Sequence, residues 1–249
     1  MYIELSIVIP VFNEEAIVAD SVAGLLDRLA PVSGSFEILL AENGSTDGTL
    51  EAILDLERRH PEIQHLELGE PNYGAALKAG IRAARGTYVI CDEIDLCDTR
   101  FYKRAMQLLR TDEADMVIGS KLAPGSADER PWLRHLATQV LNGMLRASLG
   151  FKGTDTHGLK AFWRERLLPV LDDCIVDRNL FASEFVIRAE RGGLRVCELP
   201  VRVVEKRQPT INLLERVPRA LANLSKLVWQ IRVREGLLDH RPGPPRPPG

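Results

Sequence analysis

Several features that often reveal a function are scarce or missing in this chain of 249 residues. Its four cysteines show no CxxC or other ligand spacing, which predicts reduced cytosolic thiols. No hydrophobic leader with a small-residue cleavage site precedes the first predicted strand, so no secretory signal is expected. The longest stretch without Asp, Glu, Lys or Arg runs from His135 to Leu145. A membrane-spanning helix needs roughly 20 apolar residues, so any membrane contact is expected to be peripheral.

The charge balance is also close to neutral, with 32 Lys and Arg residues against 35 Asp and Glu residues. A net charge of −3 and a pI near 6.0 provide no global attraction for nucleic acid. The hydrophobic share of 45% and the charged share of 27% are typical of a globular protein and exclude a wholly disordered chain. A chain of this length buries about 70% of its surface, so a full core forms without disulfides.

Short apolar runs alternate with helix-length segments in the N-terminal part of the chain, as in a parallel sheet covered by helices. The predicted strands are Leu5–Val11, Phe36–Ala41, Gln64–Leu68 and Thr87–Cys91. The predicted helices are Glu14–Leu29, Asp47–His60 with Ser45 and Thr46 as caps, and Tyr73–Arg85. The series predicts a Rossmann-like α/β layer, in which the ligand lies beyond the carboxyl ends of the strands.

The loops at these carboxyl ends are acidic after each of the major strands. They are residues 10–15, 42–49 and 92–96. Carboxylates cannot hold an anionic phosphate ligand directly, but a divalent cation between the carboxylate and the phosphate reverses the local sign. Glu93 and Asp95 are two positions apart, so they project to the same side of an extended segment and can reach one hard cation.

Each acidic loop also has a simpler interpretation. Glu14 and Glu15 can favour a helix start through the helix dipole, and Asn43-Gly44-Ser45 can be a turn into a capped helix. Solvated loop carboxylates are common in any protein. The functional interpretation therefore depends on the three loops falling at one edge of one sheet.

Three segments resemble the opening motifs of family 2 glycosyltransferases, which have the GT-A fold. These segments are residues 6–15, 37–49 and 72–80. Later landmarks are similar to those of the dolichyl-phosphate mannosyltransferase branch: residues 119–121, 155–162, Glu184 in a helix, residues 198–202 and Arg207. The resemblance covers roughly residues 5 to 212. It implies a mostly parallel central sheet flanked by helices.

The resemblance also implies the residues of a donor site, a metal site and an acceptor site. Substrate binding falls on Pro10, Phe12, Glu14, Glu42, Asn43, Lys121 and Arg207. Binding of Mg²⁺ or Mn²⁺ falls on Glu93 and Asp95, which occupy the place of an Asp-x-Asp motif. Catalytic roles fall on Asp95, Asp155 and Arg207.

Some of these positions depart from the family pattern. Glu replaces Asp at 42 and 93, Asn43 replaces Asp, and Lys121 replaces Arg. A longer carboxylate displaces the coordinating oxygen, whereas metal coordination tolerates errors of only about 0.2 Å. Lysine also loses the bidentate phosphate contact of arginine. A shifted donor preference, an altered metal dependence and reduced activity all stay open.

The implied reaction is metal-dependent transfer of a hexose from a GDP- or UDP-sugar to a polyprenyl or dolichyl phosphate, with inversion. A phosphate acceptor is already an anion near pH 7, so Lys121 and Arg207 would only position it. Asp155 or Asp95 would act as a base only for a hydroxyl acceptor. Two alternatives stay open: transfer to a saccharide or small-molecule hydroxyl, and a degenerate nucleotide-sugar-binding or scaffolding relative.

The C-terminal region has a different character. From Lys206 to Arg234, seven basic residues stand against one acid, and apolar residues recur at three- and four-residue steps. We expect a basic amphipathic helix over 212–238, which can lie on an anionic membrane, on a membrane-protein partner, on the catalytic domain or on a second copy. Five prolines within residues 241–249 predict a disordered tail over 239–249. The catalytic domain is thus predicted over 1–211, in a cytoplasmic protein able to lie peripherally on the cytoplasmic face of a membrane.

Overall fold

The computed structural model describes residues 2–123, 126–128, 132–156, 159–177, 180–203, 225 and 227–229. The strands are β1 (Leu5–Val11), β2 (Phe36–Glu42), β3 (Ile63–Glu67), β4 (Tyr88–Cys91), β5 (Met116–Ser120), β6 (Ala127–Asp128), β7 (Lys160–Trp163), β8 (Val196–Pro200) and β9 (Arg202–Val203). The helices are α1 (Val18–Leu29), α2 (Thr49–Arg59), α3 (Tyr73–Ala83), α4 (Thr99–Arg110), α5 (Trp132–Leu149), α6 (Arg164–Asp173) and α7 (Phe181–Arg191).

The main sheet has the strand order β3-β2-β1-β4-β7-β5-β8. Neighbouring strands run parallel, except that β7 is antiparallel to both β4 and β5. The short strands β6 and β9 form a separate parallel pair. Because β7 runs in the opposite direction, its first residue lies at the same edge as the carboxyl ends of β4 and β5. The segment before β7 therefore arrives at the edge where the acidic loops lie.

Two apolar layers cover the two faces of this sheet. Strand β1 is an almost continuous apolar run because alternate side chains enter opposite layers, as in parallel strands buried on both faces. In the first core, Ile7 of β1 packs with residues of α1, α2 and α4. In the second core, Val8 of β1 packs with Leu77 of α3 and Phe185 of α7. The predicted α/β fold with a mostly parallel sheet between helices is confirmed.

Helices α1 and α2 begin later in the structure than the sequence predicts. Helix α1 begins at Val18 rather than at Glu14, because residues 14–17 form a turn in which Ile17 N and Val18 N donate to the Glu14 carbonyl. Helix α2 begins at Thr49 rather than at residue 47. The predicted caps at Ser45 and Thr46 are also wrong, because residue 48 occupies the N-cap position and contributes no side-chain cap. Both helix starts are shaped by contacts between distant loops, which a local pattern does not encode.

The predicted C-terminal helix over 212–238 lies outside the described residues, apart from residues 225 and 227–229. The predicted domain boundary at 211 and the tail over 239–249 also lie outside them. Leu227 is buried in the second core, and Val228 of the predicted apolar stripe packs against it. Among the helices of the described residues, none is long and apolar enough to cross a membrane.

Candidate active site

Hydrogen bonds join the loops after β1 and β2 into one unit at the carboxyl edge of the sheet. Asn13 has a φ of 53°, in the left-handed region that Asn tolerates better than most residues. Its backbone N donates to Ser45 Oγ over 2.9 Å, and its Oδ1 accepts from Thr46 N over 2.8 Å. Glu14 N donates to Thr49 Oγ1 over 2.8 Å. Ser45 and Thr49 therefore fix the first loop rather than only opening α2.

The three residues of the first loop that are predicted to bind the substrate lie in different environments. Pro10 is partly buried within β1, and Glu14 is partly buried where the loop meets α2. The Phe12 side chain is 40% exposed just beyond the strand end. An exposed aromatic ring at this position can stack on a flat ligand, which is the contact that a nucleotide base requires.

The buried carboxylate of Glu42 accepts hydrogen bonds from the backbone of its own loop. Its Oε2 accepts from Gly44 N over 3.1 Å and its Oε1 accepts from Ser45 N over 2.5 Å. Burial acts to raise the pKa of Glu42, but the hydrogen bonds from Ser45 and Gly44 outweigh it, so the pKa lies below its usual value. Gly44 has a φ of 75°, and a Cβ there would lie 2.9 Å from the Gly69 carbonyl oxygen. The turn therefore needs both the carboxylate and the glycine.

Asn43 connects this loop to the start of α3. Its Oδ1 accepts from Asn72 N over 2.7 Å, and the Asn72 side chain in turn accepts from Ala75 N as the N-cap of α3. This contact needs only an acceptor oxygen, which the amide of Asn43 provides. A contact of Asn43 with a substrate stays a prediction.

Asp92, which the sequence analysis did not select, lies buried directly after β4. Tyr102 of α4 donates its hydroxyl proton to Asp92 Oδ2, and Glu93 N donates to Asp92 Oδ1 over 2.6 Å. Burial raises the pKa of Asp92 to about 7, against the opposing effect of these two hydrogen bonds. The carboxyl group of Asp92 thus holds the backbone of Glu93, the next residue of the acidic segment. A polar residue directly after a buried strand was the available signal.

The carboxyl groups of Glu93 and Asp95 follow the end of β4 and repel each other. The side chain of Glu93 reaches the surface. Protein atoms around its carboxyl remove part of its water, and this desolvation together with Asp95 raises the pKa of Glu93, while Lys121 and Lys160 act against the rise. A hard divalent cation suits this oxygen pair and would relieve its repulsion. Within the described ranges, no third His, Cys, Asp or Glu side chain completes a metal cluster.

Lys121 and Asp155 meet across the same edge, from the end of β5 and from the segment before β7. Lys121 Nζ lies 3.5 Å from Asp155 Oδ2, and only 13% of the lysine side chain and none of the aspartate side chain is exposed. The structure thus brings these two predicted residues together beside Glu93. Arg207, the third residue predicted for this part of the site, lies outside the described residues.

Lys160 is a second lysine at this edge, and the sequence analysis assigned it no role. It is 4% exposed and pairs in register with Cys91, two residues before Glu93. Burial lowers the pKa of Lys160, whereas Cys91, Asp155 and Glu93 act to raise it. Its place depends on the antiparallel register of β7 with β4, which a single sequence does not reveal.

The comparisons with known proteins show the family of the chain. The family model described as Glycosyl transferase family 2 matches residues 6–169, which is more than half of the chain. The chain belongs to glycosyl transferase family 2. The matched region includes the four strands β1, β2, β4 and β5 whose carboxyl ends carry the predicted site. It ends before the C-terminal region.

Two curated proteins are similar over most of this chain. Glycosyltransferase AglD of Haloferax volcanii is 29% identical over 237 residues, which cover 93% of this chain and 38% of that protein. Dolichyl-phosphate beta-glucosyltransferase ALG5A of Trichomonas vaginalis is 27% identical over 212 residues, covering 79% of this chain and 64% of that protein. The chain therefore spans less than two thirds of the length of these relatives.

A solved structure supports the fold. Glucosyl-3-phosphoglycerate synthase from Mycobacterium tuberculosis, in complex with Mn²⁺, UDP-glucose and phosphoglyceric acid, superposes with a TM-score of 0.62 at 20% identity. The superposition covers 90% of this chain and 79% of that chain. At this identity the likeness concerns the fold.

Proposed function

We propose that this family 2 member is a metal-dependent, inverting hexosyltransferase that uses a nucleoside diphosphate sugar and a polyprenyl phosphate acceptor. The observation that carries the proposal is the meeting of two opposite charge sets at one sheet edge. Glu93 and Asp95 form the acidic set, and Lys121 and Lys160 form the basic set within electrostatic range of Glu93. A reaction between a diphosphate donor and a phosphate acceptor needs both sets.

The donor end of the proposal uses the loops after β1, β2 and β4. Phe12 would stack on the base, and Pro10 and Glu14 would line the ribose side of the same loop. Glu42 and Asn43 would shape the base pocket through the backbone, since their side chains bind Ser45 N and Asn72 N. Mg²⁺ or Mn²⁺ held by Glu93 and Asp95 would neutralise the charge that develops on the leaving nucleoside diphosphate.

The acceptor end uses Lys121, with Arg207 as its proposed companion. Asp155 Oδ2 lies 3.5 Å from Lys121 Nζ, so this ion pair directs the lysine ammonium group. The phosphate oxygen of the acceptor attacks the anomeric carbon while the bond from that carbon to the diphosphate breaks on the opposite face. The nucleophile is already an anion, so no proton needs to be removed. The Asp155 side chain is fully buried beside Lys121, so it would not be open to the hydroxyl of an alternative acceptor.

The names of the relatives support the acceptor class. The Trichomonas vaginalis relative is named as a dolichyl-phosphate glucosyltransferase.

The proposal extends to a peripheral position at the cytoplasmic face of a membrane. There the basic C-terminal region would meet a lipid acceptor or a membrane-protein partner. A homodimer is proposed as a further assembly. The seven basic residues between positions 206 and 234 support the membrane contact.

Transfer of labelled hexose tests the acceptor. The full chain is assayed with UDP- and GDP-sugars, Mn²⁺ or Mg²⁺, and either polyprenyl phosphate or the corresponding polyprenol in detergent. We expect product with the phosphate only. Lys121→Ala should lower kcat/KM for the lipid phosphate about tenfold to a hundredfold, because a charge-assisted contact is lost. Lys103→Ala, which removes an exposed lysine of α4, is the matched control.

Calorimetric titration of UDP and GDP tests the donor and the metal. Glu93→Gln should abolish the increase in nucleotide affinity that Mn²⁺ produces, while Glu51→Gln on the exposed face of α2 should not change it.

In the transfer assay, equal product from polyprenol and from polyprenyl phosphate would favour a hydroxyl acceptor. Nucleotide binding without transfer to any acceptor would favour the scaffolding alternative.

A further inference from the structure

Glu198 of β8 binds the segment that carries Asp155. Its Oε1 accepts from Thr154 N over 2.6 Å and from Asp155 N over 3.2 Å. Its Oε2 accepts from Thr154 Oγ1 over 2.6 Å. A Cβ at Gly153 would lie 2.6 Å from Glu198 Oε1, so the glycine permits this close approach. Both oxygens of Glu198 therefore engage residues 154 and 155.

The same chain of contacts continues to the turn that carries Lys121. Thr154 Oγ1 lies 2.7 Å from Ser120 Oγ. Ser120 Oγ, at the end of β5, accepts from Leu122 N and from Ala123 N, each over 3.1 Å. Ser120 is fully buried, so these contacts are shielded from water. The turn around Lys121 is thus linked to β8 through two hydroxyl groups.

The chemistry of the partners determines the direction of these hydrogen bonds. A carboxylate only accepts, so the Thr154 hydroxyl must donate to Glu198. The Ser120 hydroxyl must then donate to Thr154 Oγ1, because the Thr154 proton is already used. The lone pairs of Ser120 Oγ remain for Leu122 N and Ala123 N. The negative charge of Glu198 therefore orients every hydroxyl in the chain.

We infer that Glu198 is a positioning residue that sets the Lys121–Asp155 pair through this chain of hydrogen bonds. Its described contacts are with residues 154 and 155 and with none of the proposed metal ligands. The functional part of the inference rests on the proposed function, since it assigns Lys121 to the acceptor phosphate. Glu198 would then control acceptor use while leaving donor binding unchanged.

Glutamine at position 198 tests the direction of the chain without removing its shape. The Gln oxygen can still accept from the backbone of residues 154 and 155, but its amide would donate to Thr154 Oγ1. Thr154 would then donate to Ser120 Oγ, and its hydroxyl would compete with Leu122 N and Ala123 N for the two lone pairs of that oxygen. The disturbance should therefore reach the Lys121 turn, two hydroxyl groups away from the substitution.

Amide hydrogen exchange of the full chain measures that disturbance without any activity. In Glu198→Gln, exchange in residues 120–123 should rise about tenfold, the change expected when one net hydrogen bond is lost. Glu190→Gln is the matched control, because Glu190 Oε2 accepts from Lys152 N over 3.1 Å in the same loop and, within the described part of the chain, forms no hydrogen bond with Ser120 or Thr154. Unchanged exchange in residues 120–123, or an equal rise in the control, would overturn the inference.

Kinetics with polyprenyl phosphate test the functional part. Glu198→Gln should lower kcat/KM for the lipid phosphate about tenfold, while the KM for the donor sugar stays within about twofold. Thr154→Ser, which keeps the hydroxyl, should preserve acceptor use, and Thr154→Val should lose it as Glu198→Gln does. Parallel losses for donor and acceptor would refute a positioning role. If the wild-type chain transfers nothing, the proposed function fails, whereas the exchange experiment still decides the hydrogen-bond chain.

Discussion

Replacing Asp92 by Asn should make the protein more stable at alkaline pH when EDTA removes divalent metal. In the wild type, burial raises the pKa of Asp92 to about 7. The folded state therefore binds a proton that the unfolded state releases near pH 4, so stability must fall as the pH rises from about 4 to about 7. Asn has no charge to bury, and its pH profile should lack this fall.

The magnitude follows from the size of the pKa difference. A change of about three units between the unfolded and the folded state corresponds to about 4 kcal/mol above pH 8. This is an upper bound, because neighbouring groups relax around the charge. The Asn side chain keeps both contacts, since its oxygen accepts from Glu93 N and its amide can donate to the Tyr102 oxygen.

Urea denaturation followed by circular dichroism at pH 5 and pH 8.5, with EDTA and constant ionic strength, measures the effect. We expect similar stability of Asp92→Asn and wild type at pH 5 and a gain for the variant at pH 8.5. Other titrating groups contribute equally to both proteins, so the difference between the two profiles isolates Asp92. Tyr102→Phe should extend this decline to higher pH, because it removes a hydrogen bond that lowers the pKa of Asp92 in the folded state.

Parallel pH profiles for the wild type and Asp92→Asn would refute the reasoning. They would mean that Asp92 stays ionised in the folded protein at pH 5 without cost. The Tyr102 hydroxyl and Glu93 N would then stabilise the carboxylate about as strongly as its burial destabilises it.

Two further predictions concern stability away from the site. Asp115 is buried, but hydrogen bonds from Arg195 and Arg166 outweigh this and hold its pKa at about 2, so its contribution is present above about pH 4 and is lost as the pH falls towards 2. Asp115→Asn should cost about 2 kcal/mol in urea denaturation at pH 6 and less at pH 3; an equal cost at both would contradict this. Gly80→Ala would place a Cβ 2.3 Å from Val8 Cγ1, so we expect a loss of about 1–3 kcal/mol in thermal unfolding, and no loss would show that Val8 moves freely.

The sheet was predictable because its strands carry their own signal. Strand β1 was predicted with its observed limits, since a run of apolar residues bounded by polar ones is a local property. The starts of α1 and α2 were not predictable in this way. Glu14 N binds Thr49 Oγ1 and Asn13 binds Ser45 and Thr46, and these contacts join residues more than thirty positions apart.

The candidate site was also predictable only where its signals are local in the sequence. The sequence by itself determined the family, the acidic pair Glu93 and Asp95, and the strand ends where the loops meet, because motifs and strand periodicity are local. Only the tertiary structure decided that Lys160 lies within electrostatic range of Glu93 and that Glu198 reaches Thr154. Both depend on strand register, β7 against β4 and β8 against β5, and register is set by packing across the sheet rather than by neighbours in the chain.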